Sequence, residues 1–193
     1  MSTVTAMAFR RDQGLTLLEL LIALTVLAIF IAVAVPSYQN LSRTLTVRGA
    51  AFDFFESYHL AKTEAVKRNL DTVTIKFLSS DSGWCYRITD TPDTCTSCSS
   101  AGAAQCSIDG DGRLRGGSSD DFDLVTMTSD YLSGGSGVVS IPNRRTTLDE
   151  GSGSTTFAMG DSVQVSVRLT NAGLANICVP TGADSVLGVE SCS

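Results

Sequence analysis

The sequence predicts an α+β protein: one long N-terminal helix, apolar in its first half and amphipathic in its second, packed on a mostly antiparallel β-sheet head. Three observations carry this. Residues 15–35 are almost wholly apolar, with one charged residue, Glu19. A helix-period pattern then continues to about Asn69. Downstream the composition turns to Ser, Thr, Gly and Asp around short apolar runs, as in a β-rich domain. The expected segments are 1–14 as a leader, 15–35 as a membrane helix, 36–70 as a stem helix and 71–193 as the head.

Leu15 to Val35 would span about 31 Å as a helix, which matches a hydrocarbon core of about 30 Å. Arg10 and Arg11 precede it, and the next basic residue is Arg43. The positive-inside rule therefore places the N-terminus in the cytoplasm and the remainder across the membrane. A cleaved secretory signal is the alternative, and Ala-Val-Ala-Val-Pro (32–36) offers a small-x-small site. Such a signal has a shorter apolar region, of about 7–15 residues. It would also gain nothing from Glu19, since a carboxylate at mid-membrane costs about 2.5–3.5 kcal/mol on insertion scales and is functional by default.

Gly14 followed by LTLLELLIALTVLAIFIAVAVPSY resembles the class III signal of type IV pilins and type II secretion pseudopilins. Leu15 stands where Phe is commonest in that family. The resemblance implies cleavage between Gly14 and Leu15 by a prepilin peptidase and N-methylation of the new α-amine on Leu15. Glu19 lies four residues on, on the same helical face. Its carboxylate can neutralise an α-ammonium of its own or of a neighbouring subunit, which sets register and offsets the desolvation of both charges.

Pro36 is expected to kink the helix. Beyond it, Tyr38, Leu41, Leu45, Phe52, Phe55 and His59 recur at helical spacing, continuing through Lys62 to Val66, and they predict the face that packs on the head. Gly49 is the weak point of the stem. Ala61, Lys62, Glu64, Ala65, Arg68 and Asn69, followed by a Val-rich run, resemble a segment of the GspH-like pseudopilins and the FimT/FimU minor pilins. Small Ala61 and Ala65 allow close approach of a sheet, and Asn69 can end the helix. Strands are expected at 72–78, 84–88, 122–127, 137–141, 154–159, 162–169 and 175–179, the sixth alternating cleanly as a half-buried strand.

Six cysteines follow the apolar segment, at 85, 95, 98, 106, 178 and 192. In an extracytoplasmic head they predict disulfides. Cys95 and Cys98 also have the two-residue spacing of a zinc knuckle, without the second such pair that a four-thiolate site needs. Sequence leaves the connectivity open, and Cys85–Cys95 with Cys98–Cys106 is the pairing expected from closing small loops. Cys178 and Cys192 resemble the tail disulfide common in pilins.

His59 is the only histidine, expected as a core or interface residue; no multi-histidine metal site, no G-x-S-x-G motif and no cofactor motif is present. The expectation is a non-enzyme without a cofactor. Asp109 and Asp111 could offer oxygens to calcium, but no EF-hand Glu is correctly spaced, so a Gly-rich turn is the preferred reading. A net charge of −6 disfavours nucleic acid as a partner. Some FimT-type pilins bind DNA through Gly-Arg-x-Arg near the C-terminus; here Gly173 is kept, but Leu174 and Asn176 replace the arginines. Arg113 and Arg115 spell that motif elsewhere, and Arg144 with Arg145 forms another small basic point.

The resemblance implies a minor pilin of the type IV pilus system, held in the inner membrane with a periplasmic head before it joins, primes or caps a filament at the cell surface. Its partners would be the prepilin peptidase and other major and minor pilins. The alternatives are a GspH-like pseudopilin of a type II secretion system and a DNA-binding competence pilin.

Overall fold

The structure is a computed structural model that describes residues 16–80, 83–99, 102–134, 137–144 and 147–192. The chain divides into two compact units, with the boundary between Leu41 and Ser42. Helix α1, Leu17–Lys67, contributes to both.

In the first unit, α1 carries an exposed apolar surface from Leu17 to Val35. It is long and apolar enough to cross a membrane, and none of its most apolar 18-residue window is buried. The hydroxyl of Thr25 donates back to the Ile22 carbonyl at 2.8 Å, so the span does not leave that polar atom for lipid to solvate. Pro36 lies inside the helix, which continues on its far side.

The second unit is the head. Strands β1 (Thr72–Ser80), β2 (Gly83–Thr89) and β4 (Val138–Pro142) form an antiparallel sheet in the order β2-β1-β4. Strands β3 (Thr126–Ser129), β5 (Gly153–Met159), β6 (Val163–Leu169), β7 (Ala175–Val179) and β8 (Glu190–Ser191) form the other, in the order β3-β5-β6-β7-β8. Among the described residues, only the β7–β8 pair is parallel. A short helix, α2 (Asp130–Gly134), follows β3. That helix was not among the expected elements, and two strands also differ from expectation. The predicted 122–127 strand starts late, because Leu124 takes a left-handed backbone (φ 62°) and Val125 N–H turns back to the Phe122 carbonyl. The other is β8, two exposed residues without a periodic pattern to reveal them.

Both sheets meet on Phe54 of α1. Its ring centroid lies 5.6 Å from Phe77 on β1, 5.0 Å from Tyr86 on β2 and 6.0 Å from Phe157 on β5. The buried face of α1 is Val47, Ala50, Ala51, Phe54, Ser57, Tyr58, Ala61, Glu64 and Ala65. This corrects the expected face. Leu45, His59 and Val66 are exposed, and Phe52 and Phe55 only half-buried. The large residues mark a second stripe of the helix; the sheets take the alanine-rich one, where small side chains let the backbones approach and Phe54 and Tyr58 fill the space.

The helix ends in a Schellman motif. Leu70 N–H donates to the Ala65 carbonyl and Asn69 N–H to that of Val66, with Asn69 left-handed at φ 51°.

Candidate functional site

Thr16 and Glu19 open α1. Leu20 N–H donates to the Thr16 carbonyl at 3.1 Å, and Glu19 N–H donates to the Thr16 hydroxyl oxygen at 3.2 Å. Thr16 is therefore the N-cap and Glu19 sits three residues on, the spacing of a capping box. That signal is legible in the sequence as Thr-x-x-Glu. Glu19 itself is exposed among exposed apolar side chains, at the helix end where backbone amides favour an anion. A carboxylate so placed can accept bonds from a cation brought to it. Gly14 and Leu15, the expected cleavage pair, lie outside the described residues, as do Arg10 and Arg11.

All six cysteines of the head are oxidised: Cys85–Cys98, Cys95–Cys106 and Cys178–Cys192. The first two pairings correct the expected Cys85–Cys95 and Cys98–Cys106. Arg87, buried on β2, explains the interleaving. Its guanidinium donates to the Cys98 carbonyl at 3.0 Å and to the Gly117 carbonyl at 3.3 Å, so the chain folds back along β2 and brings Cys98, not Cys95, beside Cys85. The disulfides leave no thiolate for the zinc reading of Cys95 and Cys98. At the C-terminus, Cys192 N–H donates to the Val179 carbonyl at 2.9 Å, and the third disulfide holds β8 against β7.

The loop bearing Arg113 and Arg115 is tied to the end of α1. Arg68 Nε meets Glu64 Oε2 at 2.7 Å and its Nη1 meets Asp109 Oδ2 at 2.6 Å. Arg115 Nη2 meets Asp111 Oδ2 at 2.7 Å, and Asp111 Oδ1 accepts from Arg113 N–H at 2.9 Å. The Arg115 and Arg113 bonds, with charge from Arg68, hold the Asp111 carboxyl well below the usual range. Arg115 is thus engaged within the head, and Asp109 and Asp111, the calcium candidates, are bonded to arginines. Arg113 and Arg144 are exposed; Arg145 lies outside the described residues.

Gly173, the one residue kept at the place of the Gly-Arg-x-Arg motif, has a structural role. Here it is buried at φ 65°, and its carbonyl accepts from Tyr58 Oη and Lys62 Nζ, both at 2.9 Å. These two bonds fasten the β6–β7 turn to α1. His59, expected as a core or interface residue, is not in the core: it is exposed, with its ring 4.6 Å from Phe55 and 5.7 Å from Tyr58.

No curated protein and no solved structure matches this chain. Residues 9–35 match the family model described as the prokaryotic N-terminal methylation motif. The matched segment holds the Arg-Arg pair, Gly14, Glu19 and the apolar start of α1. With the long helix and the antiparallel-rich head, that motif supports a type IV pilin-like protein, a substrate of prepilin peptidase that assembles with other pilins.

Proposed function

We propose that the protein is a minor pilin of the type IV pilus system, of the FimT/FimU group with a GspH-like head. It waits in the inner membrane with its head in the periplasm, is cut after Gly14, is methylated on Leu15 and enters the filament, where it primes assembly or caps the tip. Its work is assembly, not catalysis. The observation that carries this is the methylation motif over residues 9–35, which overlaps an exposed apolar stretch of α1, residues 17–35, whose single carboxylate is Glu19. The alanines, the Glu64–Arg68 pair and the Asn69 cap give the GspH-like and FimT/FimU resemblance a structural rationale: they seat the head on α1.

The rivals differ in where the protein goes. A pilus subunit is expected in the filament fraction sheared from cells, detected by antibody, and its deletion is expected to reduce surface piliation. Absence from sheared filaments together with lost export of folded substrates would transfer the reading to a secretion pseudopilin. For DNA binding, the Arg115–Asp111 pairing and the acidic head predict no salt-dependent gel shift; a shift abolished by R113A/R115A would reverse that.

A further inference from the structure

Two small sheets in one head create strand edges, and an uncovered edge is a template for pairing with another chain. The edge of β2 is covered by residues 115–119: Tyr86 N–H donates to the Gly117 carbonyl and Ile88 N–H to that of Arg115, both at 3.0 Å. The edge of β7 is covered by β8 and its disulfide. β3 has four residues, too few to offer much of an edge. The outer edge of β4 is handled by one side chain.

Among the described residues, β4 pairs with β1 alone, in the register Thr74↔Ser140 and Ile75↔Val139. The Ser140 amide does not point into that pair. It donates to Glu150 Oε2 at 2.7 Å, while the Ser140 hydroxyl donates to Oε1 at 2.6 Å. Alternate residues of an antiparallel strand turn their amides the same way, so the outward row of β4 is Val138, Ser140 and Pro142. Pro142 has no N–H to give. The central outward amide is therefore held by a carboxylate, and one end of the row is blocked by proline.

We propose that Glu150 is an edge guard, which keeps β4 of one head from pairing with β4 of a second copy. The strand is self-complementary about Ser140. In an antiparallel β4–β4 pair, Ser140 would exchange both bonds with its counterpart, and each Val138 N–H would reach the Pro142 carbonyl opposite. Glu150 occupies the donor on which that register is centred. It would also set two carboxylates face to face as the edges approached, and like charges opposite one another disfavour pairing. The inference does not depend on the pilus reading, though heads crowded along a filament would meet this hazard most often.

The test is the molar mass of the full-length, detergent-solubilised protein across a concentration series, for wild type, E150A, S140P and E150A/S140P. Proline at 140 removes the outward donor and no bond to β1. E150A is expected to associate at least tenfold more tightly than wild type, and E150A/S140P to return to wild-type behaviour. S140P alone is expected to stay as wild type. E150A with wild-type mass, unchanged circular dichroism and closed disulfides would overturn the proposal. So would S140P associating as strongly as E150A, since the loosened loop and not the freed amide would then be the cause. Should E150A misfold, E150M keeps the side-chain length and neither acceptor oxygen; association of E150M no tighter than wild type overturns the proposal equally.

Discussion

Glu19 does two jobs in one place. Its amide closes the first turn on Thr16, and its carboxylate stands exposed at the start of a helix built for lipid. Replacing it with alanine removes the cost of a carboxylate near the end of the span, which is below the roughly 2.5–3.5 kcal/mol of a charge at the helix centre, so Glu19→Ala is expected to insert at least as well as wild type. What it is expected to lose is assembly, because the partner for a neighbour's α-amine is gone. Membrane fractionation and sheared-filament blots check the two halves separately, and normal filament incorporation would count against the charge pair. Farther along α1, Tyr58 and Lys62 share the Gly173 carbonyl. Tyr58→Phe removes one of the two donors and is expected to cost about 1 kcal/mol, a drop of roughly 2–4 °C in the melting temperature of the head.

Among elements, the C-terminal strap offers the sharpest test. Cys178–Cys192 closes a loop of 14 residues' separation around β8. In the chain-entropy model such a closure is worth about 3 kcal/mol. C178S/C192S is expected to lower the denaturation midpoint accordingly and to raise hydrogen exchange across residues 180–192, with α1 and β1 unchanged. The strap itself was half-legible: a terminal cysteine pair could be read, whereas β8 could not, since two residues carry no period. The pairing of the other four cysteines was not legible at all, because it depends on Arg87 reaching across to the Cys98 carbonyl. The long helix and most strands were legible from period and punctuation. Its packing face was not. Following the large residues at helical spacing selects Leu45, His59 and Val66, but the sheets pack on Ala50, Ala51, Ala61 and Ala65 because only small side chains admit them so closely. Ala65→Leu is accordingly expected to destabilise the head by about 1–3 kcal/mol through overpacking, measured by denaturant unfolding.

At the scale of the molecule, the head should be bounded on both sides of the pH scale. Tyr86 is buried beside Phe54 and donates to Asp53; burial first, then that bond, raises its pKa far above the ordinary value near 10. Burial raises Tyr58 and Tyr131 as well. The unfolded chain releases these protons near pH 10 while the folded head keeps them, so stability is intact below about pH 10 and falls as pH rises beyond it. Asp111 works in the opposite sense: its depressed pKa stabilises the 107–115 loop above about pH 4 and is lost on acidification. Urea midpoints at pH 3, 7 and 11 are expected to peak at pH 7; a midpoint at pH 11 equal to that at pH 7 would contradict the buried tyrosines.

The first unit and the head meet their common purpose only if the chain is cut where the apolar helix begins. Intact mass and terminal sequencing of the protein from its native membrane test this most directly. The expected mature chain begins at Leu15 with a methylated α-amine, four residues from Glu19. A chain that still begins at Met1, or that begins after Ala34, would leave no terminal amine for Glu19 to meet and would contradict the pilin reading.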